Sequence, residues 1–259
     1  MTRGSYHPAP VRPPSDDIAA PAFPRDAAWI NTAPLRMDQQ AGRPVLVEFW
    51  DLCRPSSIRT LPYLKAWHER YADAGLRVIS AHSPGPGPGE DEDVVRAAVA
   101  RLGIEHPVLL DTGHALWRDY GNRGWPARYL WNGRSRLAEY HYGEGAYAET
   151  ERAIRELLGL DEDVMAPLRP EDDPDALLAV PTEDREGAWS GPYEAGGVWG
   201  VFAGAGTITV NGDPVSIDWP GARPLVEHPL HTHATLTLEV GPGVECLGLH
   251  FTPGLAERG

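Results

Sequence analysis

Phe49-Trp50-Asp51-Leu52-Cys53-Arg54-Pro55-Ser56-Ser57-Ile58-Arg59 is the stretch whose reading decides the fold. Ahead of it runs an apolar, β-branched segment, residues 45–49, which reads as a buried central strand. Behind it, Leu61, Leu64, Trp67 and Tyr71 recur at three- and four-residue spacing, which predicts an amphipathic helix over residues 59–74. Gly75 then stands where a helix C-cap glycine would. A strand, a turn carrying a cysteine and a helix therefore follow one another without a gap.

Working outward, residues 76–81 read as a second buried strand. Residues 82–89, His-Ser-Pro-Gly-Pro-Gly-Pro-Gly, suit neither helix nor strand and predict a linker over the surface. A helix over 91–102 has acidic residues in its first turn, where the macrodipole favours them. A short strand over 107–110 and a short helix over 115–120 follow. Strands 127–131 and 136–142 then form a hairpin around Asn132-Gly133, read as a type I′ turn, and a helix over 147–158 closes the unit. The order βαβαβαββα predicts an open α/β sheet with an antiparallel edge hairpin.

Residues 1–24 are rich in Pro, Ser and Asp and read as a flexible arm. Residues 161–184 form a charged, proline-containing linker. Beyond it the chain becomes glycine-rich and alternating, with a hairpin over 207–217 about Asn211-Gly212 and strands over 235–240 and 244–251. These features predict a first domain over 25–160 and a small all-β sandwich, jelly-roll-like, over 185–259. There is no internal repeat.

Of 259 residues, 42% are hydrophobic and the formal net charge is −14. That balance argues against a nucleic-acid or anionic-membrane partner. No run of eighteen apolar residues predicts a membrane span, and the N-terminus lacks the apolar stretch of a secretory signal. The expected location is the cytoplasm. The two cysteines, Cys53 and Cys246, provide neither a disulfide framework nor zinc-ligand spacing.

Three segments resemble the thioredoxin-like part of the TlpA/DipZ group of thiol-disulfide proteins. They are Phe49-Trp50 with Arg59-Thr60-Leu61-Pro62-Tyr63-Leu64-Lys65-Ala66-Trp67, then Tyr120-Gly121-Asn122-Arg123-Gly124-Trp125-Pro126-Ala127, and Tyr142-Gly143-Glu144-Gly145-Ala146-Tyr147-Ala148-Glu149-Thr150-Glu151. Residues 208–251 are similar to the β-sandwich that follows that unit in DipZ-type proteins, a relative of carbohydrate-binding sandwiches. The resemblance implies a thioredoxin-like fold and a cis peptide bond before Pro126, in a loop that presents backbone to a bound peptide or disulfide. It also implies that Glu48 is the buried acid that relays protons beneath the reactive cysteine. Matched without gaps, Arg54 and Ser57 stand where the family has its two cysteines, and Cys53 stands one residue early.

Two readings of this degenerate redoxin site follow. In one, Cys53 is a lone working thiol, activated by the helix dipole and by Arg54. Glu48 and His82 would manage protons, and the partner would be a small thiol, a disulfide, a peroxide or an electrophile. In the other, Cys53 is a small buried hydrophobe, and the protein binds a carbohydrate or a protein partner. Ser56 and Ser57 read either as thiolate partners or as residues of the first helical turn. Trp50, Trp125, Tyr63 and Trp117 are expected to line a pocket over Cys53, with Trp50 and Trp125 beside the site. His82, at a strand end, reads as a base or as a packing residue. His228, His231, His233 and Glu239 raise a metal reading that the spacing does not sustain, so no metal and no cofactor is expected. Exposed sheet edges would allow a homodimer.

Overall fold

The computed structural model describes residues 18–161 and 163–256. Two compact units share the chain. One comprises residues 18–52 and 56–168. The other comprises Cys53–Pro55 with residues 169–256.

The first unit is built on β1 (Ala28–Ile30), β2 (Val45–Trp50), α1 (Pro55–Tyr71), β3 (Arg77–His82), α2 (Glu92–Arg101), β4 (Val108–Leu110), α3 (Ala115–Asp119), β5 (Ala127–Trp131), β6 (Leu137–Tyr142) and α4 (Tyr147–Leu158). Its six-stranded sheet has the order β1-β4-β3-β2-β5-β6. β2, β3 and β4 run parallel, whereas β1, β5 and β6 pair antiparallel. Every residue of β2 is buried, because a central strand is covered on both faces. Alternation sends Val45, Val47 and Phe49 to one side and Leu46, Glu48 and Trp50 to the other.

Several expectations need correction. α1 starts at Pro55 rather than residue 59. A proline at the first helical position loses no hydrogen bond, since that N–H has no partner within the helix, and its φ is already set for it. The Asn132-Gly133 hairpin is not a two-residue turn. Asn132 Oδ1 accepts the N–H groups of Arg134 and Arg136, and Ser135 is the residue with positive φ. The asparagine side chain thus captures two backbone donors and widens the turn. Of the expected flexible arm, residues 1–17 lie outside the described residues. Residues 18–24 are built into the fold: Ala19 bridges Arg136, and Phe23, 5% exposed, meets Trp29 edge-on. The linker over 82–89 runs over the surface only at its middle, where Pro86 is exposed; Ser83, Pro84, Gly85 and Gly89 are buried.

The second unit contains β7 (Leu178–Ala179), β8 (Arg185–Glu186), β9 (Gly191–Gly204), β10 (Gly206–Val210), β11 (Asp213–Ile217), β12 (Gly221–Leu236), β13 (Leu238–Val240), β14 (Val244–Thr252) and β15 (Gly254–Leu255). A four-stranded sheet, β12-β9-β14-β8, and a three-stranded one, β11-β10-β13, share one apolar core around Phe202, Ile208, Ile217 and Leu249. The longest strands, β9 and β12, were missed in part because glycines and prolines interrupt their pattern. Gly196 shows why one of those glycines is there: a Cβ would lie 2.4 Å from the Pro253 carbonyl oxygen. Asn211 and Gly212 both have positive φ and form the expected two-residue hairpin turn.

Candidate functional site

The turn between β2 and α1 lies at the carboxyl ends of the parallel strands, where open α/β sheets bind their ligands. Cys53 sits in it, 7% exposed, and both cysteines are buried thiols. Burial pushes the Cys246 thiol above its ordinary range. Arg54, half-buried, immediately precedes the first residue of α1. Ser56 and Ser57 are in the first helical turn but do not do the same work. Ser56 Oγ donates to the Trp125 carbonyl at 3.5 Å. Ser57, fully buried, accepts the Asp51 N–H at 3.2 Å. Its hydroxyl therefore holds the turn that leads into the helix.

The Trp125–Pro126 peptide bond is cis, and Pro126 is buried. Trp125 is half-buried and donates its indole N–H to the Ser83 carbonyl at 2.7 Å. The four aromatics expected over Cys53 fall into separate ring contacts. Trp117 packs on Trp125, with centroids 4.6 Å apart, and on Phe49. Trp50 is fully buried and meets His82 edge-on. Tyr63 stacks on Tyr147 and accepts the Leu168 N–H. Phe49 and Trp50 are strand neighbours and face opposite ways, so the sheet separates the two sets.

Glu48 is fully buried, and neither carboxyl oxygen has a hydrogen-bond partner among the described residues. Burial pushes its pKa up to about 8, against a smaller opposing pull from Arg128. At neutral pH it is mostly protonated. Arg128 is opposite it across the β2–β5 pairing and is 1% exposed. Its guanidinium lies over the Tyr147 and Trp67 rings and donates to the Gly145 carbonyl. Sequence reasoning missed this residue, although a lone charge inside the apolar run Ala127–Trp131 was the available signal.

His82 is 1% exposed, and its Nε2 accepts the Leu52 N–H at 3.2 Å. Burial pushes its pKa down to about 3, so near neutrality it is an uncharged ring whose accepting nitrogen is engaged. That arrangement makes it a positioning residue for the turn rather than a base. Asp51, 1% exposed, accepts the Gly85 N–H at 3.0 Å. Asp111 accepts from the Ser83 hydroxyl and from the N–H groups of Leu116 and Trp117. Sequence reasoning missed both carboxylates, although each directly follows a parallel strand.

In the second unit, the carboxylate shared by His231 and His233 is Glu194, at 3.6 and 3.3 Å. Glu239 is instead paired with Thr209 on another sheet. His228 bonds the Tyr193 hydroxyl at 2.8 Å. Among the described residues no group of three His, Cys, Asp or Glu side chains is arranged to hold a metal ion. An open concavity of about 480 Å³ is lined by Thr182, Pro192, Tyr193, Glu194 and residues 233–235.

A parallel-centred sheet flanked by helices, with a strand–turn–helix site beside a cis-proline loop, defines a thioredoxin-like protein. Comparison with known proteins agrees. The chain is 34% identical over 142 residues to the protein DipZ of Mycobacterium bovis, a match that covers 54% of this chain and 20% of DipZ. It is 23% identical over 142 residues to the thiol-disulfide oxidoreductase YkuV of Bacillus subtilis, covering 55% of this chain and 95% of YkuV. The crystal structure of the thioredoxin-like superfamily protein SPOA0173 superposes with a TM-score of 0.52 at 19% identity, over 58% of this chain and all of that one. No family model matches. These relatives support a TlpA/DipZ-type thioredoxin-like family for the thioredoxin-like part of the chain. The chain spans about a fifth of DipZ's length.

Proposed function

We propose that this protein is a thioredoxin-like binding module that has given up dithiol exchange and engages a protein partner through the fold it retains. Ser57 carries the reading. The ungapped match to the family motif sets it at the second cysteine position, and its fully buried hydroxyl accepts the Asp51 N–H. A hydrogen bond thus fills the place where a disulfide sulfur would have to be. Arg54 stands at the first cysteine position, so no disulfide can form between the two sites. The relationship to a thiol-disulfide oxidoreductase supports a thiol- or disulfide-bearing protein as the partner class.

A second reading, a single working thiol, draws on one observation: Cys53 lies two residues before the start of a helix of 17 residues, where the dipole stabilises a thiolate. Such a thiolate would attack a disulfide sulfur and form a mixed disulfide, expelling the other sulfur as a thiolate; an external thiol would have to resolve it. Its 7% exposure weighs against this. The rate of Cys53 alkylation against pH, in a Cys246→Ser background, decides between the two. The binding reading expects no labelling without denaturant and no disulfide reductase activity. Labelling already on its plateau below pH 7, with reductase activity lost in Cys53→Ser, would replace it with the thiol reading.

A further inference from the structure

We propose that residues 83–89 are a strap that closes over the carboxyl ends of β2 and β3 and opens locally while the sheet stays folded. The inference stands apart from whether Cys53 reacts. The strap has the sequence Ser-Pro-Gly-Pro-Gly-Pro-Gly. Its prolines bring no N–H donor, and beyond Ser83 it has no polar side chain. A segment of this composition cannot hold itself down, yet Pro84, Gly85 and Gly89 are buried.

Its ends are firmly built in. The Ser83 N–H donates to the Trp50 carbonyl at 3.1 Å, and its hydroxyl donates to Asp111. At the far end Pro88–Glu90 forms a single 3-10 turn that leads into α2. The middle is held by much less. His114 Nε2 bonds the Pro84 carbonyl at 2.8 Å. The Gly85 N–H donates to Asp51 Oδ2 at 3.0 Å. Gly89 lies so close to the site that an added Cβ would meet Asp51 Oδ1 at 3.0 Å and His82 Cε1 at 3.2 Å. Gly87, with φ of +131°, supplies a bend that other residues rarely adopt.

Closed, the strap occupies an Asp51 oxygen and seals Asp51 and His82, each 1% exposed. Opening breaks the Gly85–Asp51 hydrogen bond at the carboxyl ends of the strands, so Asp51 is the latch of the strap.

Native-state hydrogen exchange on the full chain tests this by following the Gly85 amide beside the Ile79 amide of β3. A latched strap predicts that Gly85 exchanges more slowly than an unstructured peptide, at least tenfold faster than Ile79, and with little dependence on urea. Gly89→Val should speed Gly85 about tenfold further and leave Ile79 unchanged. Asp51→Ala should do the same, with Asp51→Asn, which keeps an acceptor oxygen, returning most of the protection. Exchange of Gly85 at the rate of Ile79 with the same urea slope would overturn the proposal. So would peptide-like exchange in the wild type, or an equal acceleration of both amides in the variants. Should Gly89→Val not fold, the wild-type comparison alone decides.

Discussion

The two faces of the six-stranded sheet are built on opposite principles. One carries Val45, Val47, Phe49, Tyr129 and Trp131 in a single apolar cluster. The other carries Glu48, Arg128, a Ser80–His106 hydrogen bond and His82, all buried. Burying such groups costs free energy that an apolar replacement would not. The first face is apolar throughout that cluster, whereas the second sets ionisable groups among the buried Leu46, Trp50, Val78 and Leu130, at some expense of stability. A scaffold selected for stability alone would have made both faces alike.

The comparison can be broken most forcefully at Phe49. It makes edge contacts with Trp117, Tyr120 and Tyr129, so Phe49→Ala should cost about 3–5 kcal/mol in urea denaturation. A loss below about 1 kcal/mol would mean that this face is not the principal core.

The polar face should declare itself through pH. Glu48 titrates at about 8 in the folded state against 4.5 for the ordinary group, so the folded protein binds that proton more tightly. Its contribution is fully present below pH 4.5 and is lost as pH rises through about 8, at a slope of about 1.4 kcal/mol per pH unit. His82 and His106 act in the opposite sense. Their folded values are about 3 against 6.5, so they withdraw stability as pH falls from 6.5 toward 3. Urea midpoints measured from pH 4 to 9 should show Glu48→Gln flattening the fall between pH 6.5 and 8 and, from pH 4.5 to 6.5, where the two effects oppose each other, steepening the histidine limb. An unchanged alkaline limb would place the titration elsewhere.

Smaller effects sharpen the picture at the turn. Ser57→Ala removes the acceptor of the Asp51 N–H and should cost about 1–2 kcal/mol; a neutral result would remove the reason given for its presence. The least effect is expected at the hairpins. Gly212, with φ of +93° and open space around it, should lose about 1 kcal/mol on substitution by alanine. Gly133 has no such conformation, and its alanine variant should lose less unless the backbone of Gly42, 3.3 Å from the new Cβ, cannot yield.

Much of the fold was legible because period and punctuation survive in the chain. The run Val45–Trp50 reads as a central strand, and the apolar spacing from Leu61 to Tyr71 reads as a helix without any structure. Boundaries were less legible, since Pro55 looks like a breaker in sequence and acts as a helix start in space. The site was half legible. Cys53, Ser57, Glu48 and Pro126 were identified from the motif, whereas Arg128, Asp51 and Asp111 acquire meaning only through cross-strand register and through the backbone N–H groups they accept from.

By itself the sequence determined the order of elements from β2 to α4, the all-β character of the second unit and the absence of a cysteine pair at the helix start. These are properties of local pattern and residue identity. Only the tertiary structure decided that Phe49 and Trp50 serve different cores, that His82 is a neutral acceptor and that the Gly-Pro segment lies folded down on Asp51. Each depends on which groups burial brings together and strips of water, and no spacing along the chain encodes that.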